Sequence, residues 1–379
     1  MRIADLVRER GPMTVAAFMD LALYDPEHGY YARAARRSGR AGDFFTSVDV
    51  GPIFGDLLEI QIAEMLELLQ PSALGPQPSA ILDLVEAGAG NGRLAADILR
   101  AMRERHRALY GATRLHLVEA SAEARAAQRA TLGEAGDRLA SSDAALPSSF
   151  EGVLLANELL DAMPVHQVVM RDDGLREVYV VAGHQPESPA AGLVTADGPL
   201  STPRLAEYLD GIGVTLQPGW RVEINLQAAD WIRDAARRLR RGFIILIDYG
   251  HDARELYSAS HSTGTLTTFS SHVSAGAESE APPWLQDAGR RDITAHVDFT
   301  SVRRAAEADG LQTLGFLDQT YFLMGLLPQL ENPDSAIRNP QLKTLLLPGG
   351  LGSTHKVLIL AKGVGTPPLL GCAYRMRVT

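Results

Sequence analysis

Residues whose types and spacing can do chemistry fall into two short stretches of this chain. The first is Glu86-Ala87-Gly88-Ala89-Gly90-Asn91-Gly92, which follows an apolar run from Ile81. Alternating glycines let a backbone turn sharply and approach a ligand, and the helix behind such a turn directs its N–H groups at the same point. A dinucleotide fingerprint needs a glycine where Arg93 stands, and no Gly-Lys-Ser/Thr of a phosphate loop follows. Glu86 at the strand end would repel a pyrophosphate and attract a ligand carrying ammonium and sulfonium groups. S-adenosylmethionine carries both. Glu119 closes the next apolar run, Leu115 to Glu119, where an acid accepts hydrogen bonds from ribose hydroxyls. The competing reading of Glu119 is a cap on the helix that follows. Asp143 stands where a third strand would end, set to meet an adenine or to lie in a solvated turn.

The second stretch is Val153-Leu-Leu-Ala-Asn157-Glu158-Leu-Leu-Asp161-Ala-Met-Pro164. An apolar strand delivers Asn157 and Glu158 to the carboxyl edge of a sheet, where open α/β folds bind ligands. Asp161 comes three residues later, so a short helix would put both carboxylates on one side. Paired carboxylates hold a guanidinium through bidentate hydrogen bonds, and methyl transfer to nitrogen chiefly requires that the acceptor be aligned. Glu158 and Asp161 are therefore the candidate catalytic pair; as an alternative, with Asn157 they cap and solubilise a helix entry. His272 and His296 are candidate bases, with His296 between Asp292 and Asp298 read as a loop-ordering network. The histidines show no metal-ligand spacing, so no metal is expected.

The elements that must position these groups alternate. A helix over Asp56 to Leu69, with Glu59, Glu64 and Glu67 largely on the face opposite its apolar side chains, is followed by a Pro/Gly-rich stretch at 70–79, and then apolar runs at Ile81–Glu86, Leu115–Glu119, Val153–Ala156 and Phe243–Asp248 are interleaved with helical segments. Such repetition predicts a parallel sheet covered on both faces, a doubly wound α/β core. Val165–Met170 and Glu177–Val181 flank Arg171-Asp172-Asp173-Gly174, a hairpin signal. The expected organisation is an N-terminal helical segment, 1–79, over the cofactor site, one core from 80–250 and 294–365, a hairpin insertion at 165–200, and a loop or lid insertion at 251–293.

Composition narrows the classes further. The 379 residues carry a formal net charge of -10, which disfavours a nucleic-acid partner and is compatible with a cationic one. No apolar run reaches the roughly 18 residues of a membrane span. The lone Cys372 excludes an internal disulfide framework and, with an opening segment that lacks a signal-peptide pattern, sets the expectation of a cytoplasmic protein.

Motifs spread along the chain add a resemblance. Tyr24-Asp-Pro-Glu-His-Gly29-Tyr30-Tyr31, Gly42-Asp43-Phe44-Phe45-Thr46-Ser47, the Glu86–Gly92 turn, Asn157-Glu158-Leu-Leu-Asp161-Ala-Met-Pro164, Ile247-Asp248-Tyr249-Gly250 and Asp292-Ile293-Thr294-Ala295-His296-Val297-Asp298-Phe299 occur in that order. In these the chain resembles the MidA-type class I methyltransferases, a family related to the mitochondrial arginine methyltransferase that assists assembly of respiratory complex I. The resemblance implies a Rossmann-like methyltransferase core and S-adenosyl-L-methionine as methyl donor. The cofactor residues it and the motifs nominate are Gly42, Asp43, Thr46, Glu86, Gly88, Gly90, Gly92, Glu119, Asp143 and Asn157. An arginine of a partner protein is the implied acceptor; a small-molecule acceptor and an assembly role without transfer are the alternatives, and a homodimer is left open. The sequence departs from the family pattern at Thr46-Ser-Val-Asp49, in the long Ser/Ala-rich stretch Thr267–Gly289, at Asp318-Gln-Thr320 and at Ser353-Thr354-His355-Lys356, near the expected acceptor side.

Overall fold

Leu82–Ala87 is buried along its whole length, as a parallel strand covered on both faces must be. It is an interior strand of the larger sheet. The computed structural model describes residues 3–34, 46–70, 80–183, 192–270, 273–275, 282–330, 339–347 and 351–374. Within them the chain folds as two compact units, where the sequence suggested one enlarged core. One unit holds 46–159, 232–249 and 303–379; the other holds 1–45, 160–231 and 250–302.

In the first unit the strands run in the order Gln312–Asp318, His355–Lys362, Leu239–His251, Phe150–Asn157, Leu82–Ala87, Thr113–Val118, Leu139–Asp143. The last five in that order are parallel, whereas His355–Lys362 runs antiparallel to both of its neighbours. The expected parallel sheet is thus mixed at one edge. From Leu82–Ala87 the chain first adds strands on one side and then returns to the other with Phe150–Asn157. That reversal is a topological switch point, and it places the carboxyl ends carrying Glu86 and Asn157 at the crevice where such sheets bind ligands.

Helices cover both faces. The predicted Asp56–Leu69 helix begins earlier, at Pro52, whose missing N–H is harmless in a first turn. Phe54, Leu58, Ile62 and Met65 join Leu84, Ile98, Leu155 and Phe243 in one core. Glu59, expected on the polar face, is fully buried; Arg105 at 3.0 Å and His106 at 2.6 Å partner it there. Two glycines let the strands cross closely. Gly152 and Gly242 lie side by side in register, at φ 151° and 142°. A Cβ on Gly152 would sit 1.9 Å from the Asp83 carbonyl oxygen, and one on Gly242 equally close to the Gly152 oxygen.

The second unit is built on the predicted hairpin, His166–Arg171 with Gly174–Ala182, closed by the two residues Asp172-Asp173. Arg221–Ile224 extends it on one side, and Leu193–Gly198 and Met13–Thr14 pair with its second strand. Thr14 also caps the helix Val15–Tyr24, accepting from the Ala17 N–H. Residues 1–79 are therefore not one segment: the helices up to Ala34 belong here and Pro52–Leu69 to the other unit. The stretch expected as a loop carries structure of its own, a helix at Ala253–Leu256 and a small sheet of Thr267–Ser270, Val273–Ala275 and Asp292–Thr294. Trp284, Leu285 and Ile293 from it are buried with Phe18, Met19 and Val178, which is why a sequence poor in apolar periodicity is still held.

Candidate active site

Three glycines make the turn, each for its own reason. All have positive φ, 72° at Gly88, 50° at Gly90 and 84° at Gly92, which non-glycine residues adopt at a cost. A Cβ on Gly88 would press on Leu159, and one on Gly92 on Leu117, so these two serve close packing. At Gly90 a Cβ would meet nothing within 4 Å among the described residues. Its bare backbone is left open by them there, as a surface that receives a ligand requires.

The position of Gly90 is fixed from both sides. Its N–H donates to Glu119 Oε2 at 2.9 Å, and its carbonyl accepts from Gln128 Nε2 at 2.8 Å. Gln128 is fully buried and takes a further bond from the Ser142 hydroxyl at 2.6 Å. Sequence reading did not single out Gln128, because an amide in an Ala-rich helix carries no motif. Glu119 Oε1 accepts from the Ser121 N–H at 2.8 Å. The carboxylate thus orders the next helix entry while keeping lone pairs for other donors. The Asp143 side chain is exposed at its strand end, and its backbone oxygen accepts from the Glu119 N–H.

Glu86 is buried, with Oε2 accepting from the Ala95 N–H at 3.1 Å. It supplies the cap that Gly92, lacking a side chain, cannot. Burial pushes its carboxyl up from 4.5 to about 8, against the Ala95 bond and with a smaller contribution from Glu119. At neutral pH Glu86 is therefore mostly protonated, and the bound proton favours the folded state below pH about 4.5, an advantage lost as pH rises through 8. A cationic ligand favours the ionised form, so its binding expels that proton. Affinity for S-adenosylmethionine is expected to rise with pH up to about 8, by at most roughly tenfold per unit for one proton, and then to level. Calorimetry on Glu86→Gln beside the parent isolates this slope from titration of the cofactor's own amine; parallel profiles would remove Glu86 from the effect.

Asn157 ends its strand and Glu158 follows at φ 49°, a left-handed conformation unusual for a side-chain-bearing residue and of the kind found at functional sites. The Glu158 N–H donates to the Ile247 carbonyl at 2.8 Å, and the next N–H, of Leu159, to Asp248 Oδ2 at 3.2 Å. These bonds hold the turn. Glu158 Oε1 accepts from the Ser47 N–H at 3.0 Å and from Asn157 Nδ2 at 3.2 Å, and His355 Nε2 lies 3.7 Å away. His355 is buried and its pKa is pushed down to about 4 by that burial. The Ser47 hydroxyl donates to Gln319 at 3.3 Å. Ser47, Gln319 and His355 belong to the segments where the sequence departs from the family pattern, and the fold gathers them at Glu158.

Thr46 donates through N–H and hydroxyl to Asp49 Oδ2, and Asp49 Oδ1 pairs with Arg93 at 3.1 Å. Arg93 donates also to the Val48 carbonyl. The residue that broke the dinucleotide fingerprint therefore fastens segment 46–49 to the start of the glycine-turn helix. Gly42, Asp43 and His272 lie outside the described residues. Asp161 does not join Glu158 on a helix. After Leu159 the chain forms a turn, in which the Asp161 carbonyl accepts from the Ala295 N–H and the Ala162 carbonyl from the Tyr24 hydroxyl, both within the second unit. The His296 ring lies against those of His251 and His261, while Asp292 accepts from the Tyr31 hydroxyl at 3.1 Å and Asp298 from the Thr300 and Ser301 N–H groups at 2.9 and 3.1 Å.

Comparison with known proteins agrees with this geometry. Residues 57–317 match the model of a family described as "Putative S-adenosyl-L-methionine-dependent methyltransferase". The mouse mitochondrial protein arginine methyltransferase NDUFAF7 is 32% identical over 90% of this chain and 78% of its own length. The human protein of that name is 31% identical over 90% and 77%. A Burkholderia thailandensis protein solved bound to S-adenosyl-homocysteine superposes with a TM-score of 0.81 at 29% identity, covering 98% of this chain and 94% of that one. The cytoplasmic location expected above is corrected by these relatives, which are by name mitochondrial. A lone buried cysteine reports the absence of a disulfide and does not separate one reducing compartment from another. No helix among the described residues is long and apolar enough to cross a membrane. With the open face of Gly90, the acceptors of Glu86 and Glu119, and a switch-point crevice that fit the cofactor, the chain belongs to the MidA-type class I methyltransferases and is an S-adenosylmethionine-dependent methyltransferase.

Proposed function

We propose that the methyl acceptor is a nitrogen of an arginine side chain in a partner protein, and that Glu158 orients it. When bound, S-adenosylmethionine supplies the electrophilic methyl group; Glu86, Gly88, Gly90, Gly92 and Glu119 would hold it, with Thr46, Asn157 and Asp143 at the border. The observation that carries the acceptor is the pairing of two buried acceptors. His355 Nδ1 lies 3.1 Å from the Leu351 carbonyl, which assigns its proton there and leaves Nε2 with a lone pair. That nitrogen has no hydrogen-bond partner among the described residues and faces the Glu158 carboxylate at 3.7 Å. Two acceptors facing each other suit a group rich in N–H donors and poor in lone pairs, as a guanidinium is. Glu158 aligns the attacking nitrogen and stabilises positive charge, and Glu158 or His355 takes the proton released afterwards. Names of the relatives, as protein arginine methyltransferases, support the same reading.

The test is peptide mass spectrometry on cells with and without this protein. Peptides carrying methylarginine only when it is present are the expected result. Methylation confined to small molecules, or to another residue type, would overturn the acceptor assignment.

A further inference from the structure

The second unit brings together three histidines that are far apart in sequence. His251 ends the long strand Leu239–His251, His261 closes the 3-10 turn Ala259–His261, and His296 lies between the short strands Asp292–Thr294 and Val297–Asp298. Their ring centroids are 5.0, 5.2 and 5.9 Å apart. One nitrogen from each lies within 4.8 Å of the other two, and among the described residues no other cluster of three histidine, cysteine or acidic groups comes as close. Imidazole nitrogens gathered this closely from three separate elements are the arrangement from which a metal site is built.

We propose that His251, His261 and His296 bind a divalent transition-metal ion, Zn2+ by preference. Three imidazoles with no thiolate and no direct carboxylate select zinc and its borderline neighbours over Mg2+ or Ca2+, which take oxygen. The surroundings resemble a prepared site. Glu255 Oε1 is 3.0 Å from His251 Nδ1, and the Glu255 carbonyl is 3.0 Å from His261 Nδ1. Metal-bound histidines give their second N–H to such acceptors; the His261 contact is such a hydrogen bond and leaves its Nε2 for the ion, whereas the Glu255 carboxylate stands near His251 Nδ1 outside hydrogen-bond geometry. The His296 N–H donates to Thr265 Oγ1 at 3.1 Å, holding the third ligand's backbone. Tetrahedral Zn–N bonds of about 2.0–2.1 Å bring ligand nitrogens to about 3.3 Å, a closure that side-chain rotation supplies. Three protein ligands leave the fourth position to water. The ion would tie together the strand end, the 3-10 turn and the Asp292–Asp298 segment, in a stretch whose sequence is poor in apolar residues. This inference does not depend on the methyl acceptor.

The experiment uses the full chain made without a histidine tag, stripped with chelator and titrated with Zn2+ against a chromogenic competing chelator. One tight equivalent per chain is expected, with a rise in Tm on adding Zn2+ and, on Co2+ substitution, visible bands of a tetrahedral site. His261→Ala and His296→Gln should each weaken binding by at least about 100-fold, and Glu255→Gln by about tenfold. Circular dichroism of the metal-free variants tests their folding, and His261, at a half-buried turn, decides the matter if His296→Gln does not fold. Absence of tight Zn2+ binding to the parent chain, or unchanged affinity in folded His261→Ala, would overturn the proposal.

Discussion

Glu158→Gln is expected to bind S-adenosylmethionine within about twofold of the parent while losing methyl transfer by about 100-fold or more. Glutamine keeps an oxygen where Oε1 now accepts the Ser47 and Asn157 N–H groups, so the turn and segment 46–49 should remain in place. What it removes is the charge that, in the proposed reaction, would strengthen hydrogen bonds to a guanidinium about twofold and align the attacking nitrogen. Misplacement by 1 Å alone costs about 100-fold. Alanine would be a poorer probe, because it also releases Ser47. The measurement is transfer of isotope-labelled methyl groups into arginine, in a lysate from cells lacking the protein, beside calorimetry of cofactor binding. Transfer at the parental rate would remove Glu158 from the reaction.

Gly152→Ala is expected to have the largest effect on stability, about 4 kcal/mol or more. The added methyl would lie 1.9 Å from the Asp83 carbonyl oxygen, a backbone atom in an interior strand of the sheet that cannot step aside without breaking its own ladder. The substituted residue must also hold φ near 151°. Insoluble protein, or a Tm lower by roughly 10 °C, is the predicted outcome in thermal unfolding followed by circular dichroism. Gly90→Ala, in the turn that follows that strand, is the contrast, since its Cβ meets nothing within 4 Å among the described residues. It should cost only about 1–2 kcal/mol for its left-handed conformation while impairing cofactor binding. A Gly152→Ala protein as stable as the parent would show that the strands can separate at this crossing.

Legibility along the chain followed how local each signal is. The hairpin around Asp172-Asp173 was readable because two strands and their turn are contiguous. The helix expected after Glu158 was not formed. Its spacing of acids was compatible with one, but the bonds that decide the turn come from Ile247 and Asp248, almost ninety residues away. Glu59 looked solvent-facing by periodicity alone, and only the partners Arg105 and His106 make its burial tolerable.

By itself, then, the sequence determined the glycine turn, the strand-end acids Glu86 and Glu119, the core order of strands and helices, and hence the cofactor class. Each of these rests on a backbone conformation or a periodicity written into consecutive residues. Tertiary structure decided what stands around them. It set Gln128 and Ser142 behind Gly90, His355 and Ser47 beside Glu158, and Arg93 on Asp49. It also brought His251, His261 and His296 into one cluster from three separate elements. Such groups meet only when distant strands and turns are packed, and neither residue type nor spacing along the chain encodes a meeting of that kind.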